Sequence, residues 1–88
     1  MLLLKITICG NPDLGQDPSR APYGMKRIKQ IQAKDIVEMR EKVRNFQEEN
    51  QLGGGNWKHA DLYSNGLSLG RMSYNGRIWG KGGEEVDI

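Results

Sequence analysis

The sequence predicts a single α+β domain in which an antiparallel sheet of four to five strands packs on one amphipathic helix, in the order β-β-α-β-β-β. Two Asn-Gly pairs, Asn65-Gly66 and Asn75-Gly76, separate short segments of strand-forming residues. Such pairs favour the positive φ angles of tight β-hairpin turns. A helical apolar repeat precedes these turns, and an alternating apolar segment opens the chain. The length of 88 residues is that of one domain.

The first strand is predicted over residues 2–9. Leu4, Ile6 and Ile8 alternate there with other residues, and a period of two is typical of a strand with one buried face. Residues 10–24 hold all three prolines of the chain and show no apolar period. They therefore predict a long Pro/Gly loop.

Residues 25–33 follow neither a strand period nor a clean helical period. We interpret them as an edge strand, because charged side chains such as Lys26, Arg27 and Lys29 protect a sheet edge from pairing with another chain. A helix is the alternative interpretation of this segment.

A helix is predicted from Asp35 to Gln51. Asp35 is a good N-cap, and Glu38 three residues later completes a capping box. The three glycines at 53–55 are expected to end the helix, with a left-handed glycine at its C-terminus. One apolar stripe runs along this helix and predicts its buried face: Ile36, Met39, Val43 and Phe46.

The C-terminal third predicts a three-stranded meander, with strands over residues 57–63, 67–74 and 77–80 joined at the two Asn-Gly pairs. Since one helix covers only one side of a sheet, we expect some aromatic side chains of the meander to stay partly exposed. Residues 81–88 show no period and predict a flexible acidic tail. Strict alternation in the first strand of the meander places four side chains on one face: Trp57, His59, Asp61 and Tyr63.

Catalytic and metal-binding patterns are missing from the sequence. A nucleophilic site needs a base beside its nucleophile, and Cys9 with His59 is the only Cys-His combination that the chain offers. One Cys and one His are too few for a zinc site. The glycines at 53–55 follow a helix instead of opening one, so they do not form a phosphate-binding loop. We therefore expect a protein that is not an enzyme and that binds no metal or cofactor.

Charge is unevenly distributed along the chain. The formal net charge is only +2, but eight basic and three acidic residues lie between Arg20 and Arg44. Such a segment can steer an anionic partner, although a solvated face explains it equally well. No apolar stretch approaches the ~20 residues that span a membrane, and a lone cysteine favours the reducing cytoplasm. We expect a cytoplasmic monomer or weak homodimer that does not bind membranes.

The run LGGGNW at 52–57 and the run RMSYNGRIW at 71–79 carry a family resemblance. Over residues 36 to 80 the chain resembles small proteins of phages and other mobile elements, which have a glycine-Asn-aromatic entry and an SYNGR-aromatic end. In its small size and its lack of catalytic motifs it is similar to anti-CRISPR proteins. That resemblance implies a compact protein that blocks a host defence complex by occupying a nucleic-acid or partner site.

We therefore predict a small non-enzymatic interaction protein, an inhibitor from a mobile element, whose partner is a host protein or ribonucleoprotein complex. The alternative is a module that binds single-stranded nucleic acid through sheet aromatics and basic side chains. For each aromatic residue alone, packing under the helix is the competing interpretation. The predicted partner-binding residues are the following: Arg20, Lys26, Arg27, Lys29, Arg71, Tyr74, Arg77 and Trp79.

Overall fold

The computed structural model of the protein describes residues 1–22 and 25–86, and these form one helix and a six-stranded antiparallel sheet. The spatial order of the strands is β2-β1-β3-β4-β5-β6, and α1 lies between β2 and β3 in the chain. The predicted α+β class is confirmed, with a sixth strand added. The elements are β1 (Leu2–Ile8), β2 (Ile28–Ala33), α1 (Ile36–Glu49), β3 (Trp57–Ser64), β4 (Leu67–Met72), β5 (Ile78–Trp79) and β6 (Glu85–Val86).

Two expectations fall partly outside the described residues. The predicted loop over 10–24 includes residues 23–24, and the predicted tail over 81–88 includes residues 87–88. Within the loop, Pro12–Leu14 form a short 3-10 helix. Within the tail, β6 pairs antiparallel with β5 and so extends the sheet by one strand.

The segment predicted as an edge strand is β2, so the helical alternative for residues 25–33 is wrong. β2 pairs antiparallel with β1, with Leu4 opposite Ile31 and Ile6 opposite Lys29. In the sheet order β2 is the first strand, which places it at an edge.

Asp35 caps the N-terminus of α1 as predicted, but Glu38 does not complete the predicted capping box, because it accepts the N–H of Lys34 and not that of Asp35. Asp35 Oδ1 accepts the backbone N–H of Glu38 at 2.9 Å. The carboxylate of Glu38 accepts the N–H of Lys34 at 3.1 Å, one residue before the cap residue itself. The Asp35 side chain thereby satisfies one backbone donor that the helix leaves unpaired, and the Glu38 side chain satisfies a donor that precedes the helix.

The C-terminus of α1 differs from the prediction. The helix ends at Glu49, and the left-handed residue that follows is Gln51 (φ 53°), not one of the glycines at 53–55. The N–H of Leu52 donates to the C=O of Gln47 at 2.9 Å, as in a Schellman ending. Leu52 is only 7% exposed, so burial of this side chain decides where the chain turns back.

The hydrophobic core lies between α1 and one face of the sheet. Of the predicted helix stripe, Ile36, Met39 and Val43 are buried, and Phe46 is partly buried against the same cluster. The core is therefore a single layer, as expected for one helix on one sheet. The sheet supplies its other members: Leu2, Leu4, Ile6, Ile31, Ala33, Ala60, Leu62, Met72 and Ile78.

The two Asn-Gly turns have different geometries. Asn65 (φ 51°) and Gly66 (φ 85°) are both left-handed, as a type I′ turn requires. At the second turn only Gly76 is left-handed, and its N–H donates to the C=O of Ser73 at 2.9 Å. That geometry is a three-residue loop, so the prediction of a type I′ turn there is wrong. The extra loop residue is Tyr74, whose hydroxyl donates to the C=O of Leu52 at 2.8 Å.

A β-bulge reverses the predicted orientation of Trp57. Thr7 lies opposite His59, but the next residue of β1, Ile8, lies opposite Trp57, so Lys58 is an extra residue in β3. Trp57 therefore lies on the core face and packs against the core, and its indole N–H donates to the C=O of Met72 at 3.0 Å. The prediction that Trp57 shares a face with His59 is wrong, because alternation does not hold across a bulge.

The LGGGNW run anchors the Pro/Gly loop to the sheet. Asn56 is 1% exposed, and its side-chain amide donates to the C=O of Cys9 and to Gln16 Oε1, each at 2.9 Å. Its Oδ1 accepts the N–H of Gly53 at 3.0 Å. A Cβ at Gly55 would lie 2.6 Å from the side chain of Asn11, so a larger residue there would displace that side chain. These motif residues therefore have a structural role.

We predict that Met39→Ala lowers the free energy of unfolding by about 2–5 kcal/mol, because it leaves a cavity in the core. Met39 is fully buried, whereas Val37 on the same helix is 72% exposed. Urea denaturation followed by circular dichroism measures both variants. A Val37→Ala control should change stability by less than about 0.5 kcal/mol. Equal effects of the two substitutions would contradict the packing described above.

We also predict that Asn56→Ala destabilises the protein by about 2–4 kcal/mol, because it leaves the N–H of Gly53 and the C=O of Cys9 without their partner. Asn45 lies exposed in α1, so Asn45→Ala is the matched control and should be neutral or slightly stabilising. Thermal unfolding compares the two variants. If Asn56→Ala unfolds at the wild-type temperature, the amide does not anchor the loop.

Candidate interaction surface

The sheet face opposite α1 carries no helix among residues 1–22 and 25–86. Cross-strand register places side chains from all six strands on this face. We call this surface the open face. Its members are Leu3, Lys5, Thr7, Ile28, Gln30, Gln32, His59, Asp61, Tyr63, Ser68, Arg71, Trp79 and Glu85.

A row of directly opposed residues crosses the centre of the open face. Lys5 lies opposite Asp61, Asp61 opposite Arg71, Arg71 opposite Trp79, and Trp79 opposite Glu85. Arg71 Nε lies 3.9 Å from Asp61 Oδ1, and the arginine side chain is largely exposed. An exposed pair of this kind contributes little stability, about 0–1 kcal/mol. Its main consequence is that positive and negative charges alternate across the face.

Trp79 is the large apolar side chain of this row. It is 36% exposed and is flanked on its neighbouring strands by Arg71 and Glu85. The backbone of Trp79 approaches β4 closely at Gly70. The φ angle of Gly70 is 132°, and any Cβ at this position would collide with the C=O of Trp79. A glycine is therefore required at this position for β5 to pair at the register that presents Trp79.

A concavity of about 500 Å³ lies beside Trp79 on the open face. Its walls include Asp61, Arg71 and Lys81 together with glycines of the β5–β6 connection. Charged groups of both signs line it, which suits a partner that presents both hydrogen-bond donors and acceptors.

A second concavity of about 480 Å³ lies where β3 and β4 separate. The β3–β4 pairing ends at Asp61 and Arg71, and beyond that point the two strands diverge. Trp57 and Tyr74 pack edge to face in this gap, with ring centroids 6.1 Å apart. Arg71 and Trp79 also line this second concavity, so it is continuous with the open face.

The structure brings together two of the eight predicted partner-binding residues, Arg71 and Trp79. Tyr74 and Arg77 lie instead in the β4–β5 loop. The hydroxyl of Tyr74 donates to the C=O of Leu52, so this aromatic ring anchors the loop to the end of the helix. Arg77 is the last residue of that loop; it is exposed, and its C=O accepts the N–H of Ser73 at 2.8 Å.

The four predicted basic residues of the first half lie elsewhere. Lys26 and Arg27 directly precede β2. The ammonium of Lys29 lies 5.7 Å from the centre of the Phe46 ring, which places it on the helix side of the sheet. These positions form a basic border along one edge of the sheet.

Arg20 belongs to the Pro/Gly loop, where its Nε lies 3.7 Å from Asp17 Oδ2. Ser19 donates both its hydroxyl and its backbone N–H to the same carboxylate. These hydrogen bonds, together with the charge of Arg20, lower the pKa of Asp17. The guanidinium of Arg20 thus has a local acidic partner.

Sequence reasoning missed three members of the open face as partner-binding candidates: Lys5, His59 and Tyr63. Alternation in β3 was a sufficient signal for His59 and Tyr63, because both fall on the face of Asp61. Lys5 needed the pairing register of β1 with β3, which local sequence does not contain.

Cys9 and His59, the Cys-His combination noted in the sequence, have different hydrogen-bond partners. His59 Nε2 lies 3.4 Å from Thr7 Oγ1, whereas Cys9 Sγ donates to the C=O of Gly55 at 3.5 Å. In the described part of the chain no group of three or more His, Cys, Asp or Glu side chains could hold a metal ion. No helix of those same residues is long and apolar enough to cross a membrane.

No protein-family model matches the sequence, and no curated protein or solved structure shows significant similarity to it.

Proposed function

We propose that this protein is a non-enzymatic binding protein that takes a protein partner on the open face. The observation that supports this function is the partly exposed Trp79 beside Arg71 on a sheet face that α1 leaves uncovered. Tryptophan and arginine are the residues most enriched among interface hot spots. Tyr63 on the same face adds a third side chain of this kind.

The charge pattern of the open face favours a protein over a nucleic acid. Lys5 and Arg71 are each opposite Asp61, and Glu85 lies beside Trp79. Surfaces that track a single-stranded backbone present a positively charged groove, because every nucleotide carries a phosphate. Alternating charges instead fit a polypeptide surface with its own mixed charges.

The resemblance of residues 36 to 80 to small phage proteins is the basis on which we propose the kind of partner. The partner is then a host complex that handles nucleic acid, such as a CRISPR defence complex. The protein inhibits this complex by covering its nucleic-acid or partner site. The basic border at Lys26, Arg27 and Lys29 would speed association with an acidic region of that complex by electrostatic steering.

The test is affinity capture followed by binding measurements with the purified partner. We expect Trp79→Ala and Arg71→Glu each to weaken the Kd by about thirtyfold, the effect of a hot-spot residue of about 2 kcal/mol. Arg44→Glu is the matched control, because Arg44 is exposed on α1 and lies on the other side of the sheet; its Kd should stay within about twofold of wild type. Wild-type affinity of the Trp79→Ala variant would contradict the proposal.

Single-stranded nucleic acid remains the second candidate, since Trp79 and Arg71 stand side by side as stacking and phosphate-binding groups do on other antiparallel sheets. Fluorescence anisotropy with labelled oligonucleotides at low and moderate salt distinguishes the two candidates. Binding that falls steeply with salt and is lost in Trp79→Ala would replace the protein partner by nucleic acid.

A further inference from the structure

The outer side of β2 presents backbone hydrogen-bonding groups without a neighbouring strand. In an antiparallel pair, successive residues direct both backbone groups alternately toward the partner strand and away from it. The N–H of Ile8 donates to the C=O of Arg27 at 2.8 Å, so Arg27 faces β1. By alternation Lys29 and Ile31 also face β1, since they lie opposite Ile6 and Leu4 in the same register.

The backbone groups of Ile28, Gln30 and Gln32 therefore point away from β1. An independent contact agrees with this assignment: the ammonium of Lys42 reaches over from α1 and donates to the C=O of Gln32 at 2.8 Å. Within residues 1–22 and 25–86, β2 pairs with β1 alone, so the outward N–H groups of Ile28, Gln30 and Gln32 have no partner strand. Gln30 and Gln32 are exposed, and Ile28 is 53% exposed.

An exposed edge of this length is a template for an added strand. We propose that β2 binds an extended acidic segment of a partner protein, which adds to the sheet as a seventh strand. This inference goes beyond the proposed function, because it concerns the edge of the sheet and its backbone groups and does not involve Trp79 or Arg71.

The basic side chains around β2 favour an acidic segment at this edge. Lys26 and Arg27 directly precede β2, Lys34 follows it, and Lys29 and Lys42 lie on its helix side. An added strand would place alternate side chains on the helix side, near Lys29 and Lys42, and the others beside Ile28 on the open face. A segment in which acidic and β-branched residues alternate would place its acidic side chains near the basic ones and its apolar side chains near Ile28.

The same charges disfavour a second copy of this chain at the edge. Two copies of β2 paired antiparallel about a two-fold axis at Gln30 would put Lys26 of each copy opposite Lys34 of the other. Like charges that are directly opposed across strands are destabilising. A basic edge of this kind blocks self-association while it remains complementary to an acidic strand.

The experiment is an NMR titration of the full chain with a short synthetic peptide of alternating glutamate and valine. A peptide of alternating lysine and valine serves as the control ligand. We expect the acidic peptide to shift the amide signals of Ile28, Gln30 and Gln32 and to slow their hydrogen exchange by about tenfold or more, as in a newly formed ladder. The basic peptide should produce neither effect.

Two variants separate backbone pairing from simple charge attraction. Gln30→Pro removes an outward N–H without touching the β1 ladder, and a proline is tolerated on an edge strand. Lys26→Glu/Arg27→Glu reverses the border charge, and the control Arg44→Glu/Lys58→Glu makes the same net charge change at exposed residues elsewhere. We expect the first two variants to weaken peptide binding about tenfold or more and the control to retain it.

Three outcomes would overturn the proposal. One is the lack of protection at Ile28, Gln30 and Gln32 with saturating acidic peptide. Another is equal weakening by Lys26→Glu/Arg27→Glu and by the control Arg44→Glu/Lys58→Glu, which would mean diffuse charge attraction. A third is concentration-dependent protection of the same amides without any peptide, which would make a second copy the occupant. None of these outcomes depends on whether Trp79 binds a partner.

Discussion

In the part of the chain that the structure describes, one α-helix with one apolar stripe has to cover a sheet of six strands, and most of the structure follows from this constraint. α1 buries Ile36, Met39 and Val43 on one face of the sheet, so the opposite face keeps its side chains in contact with solvent. The two tryptophans show the consequence. Trp57 packs on the core face and binds Met72, whereas Trp79 lies on the open face beside Arg71.

Different parts of the sheet therefore present different chemistry. The open face carries alternating charges around Trp79, while β2 is flanked by basic side chains and presents backbone groups at its outer edge. The open face suits the mixed surface of a folded protein, and the edge of β2 suits an extended acidic strand. The Pro/Gly loop belongs to neither surface, because Asn56 and Gln16 hold it against the end of β1.

Local signals predicted the parts of the fold that depend on local physics. The cap at Asp35, the turn at Asn65-Gly66 and the charged edge strand follow from side-chain hydrogen bonds, positive φ and edge protection, and all three are confirmed. Features that depend on tertiary packing were not predictable. The bulge at Lys58 turns Trp57 inward, and burial of Leu52 places the left-handed residue at Gln51. For the same reason the predicted binding residues divide among the open face, the β4–β5 loop, the border of β2 and the Pro/Gly loop, where Arg20 lies.

The central claim is that α1 covers one face of the sheet and leaves the other accessible. The indole N–H signals of the two tryptophans test it directly in a two-dimensional NMR spectrum with a soluble paramagnetic gadolinium chelate. Trp57 donates its indole N–H to Met72 and should resist broadening, whereas the signal of Trp79, which is 36% exposed, should broaden strongly. Equal protection of the two signals would contradict the claim, since it would mean that the face of Trp79 is covered as well.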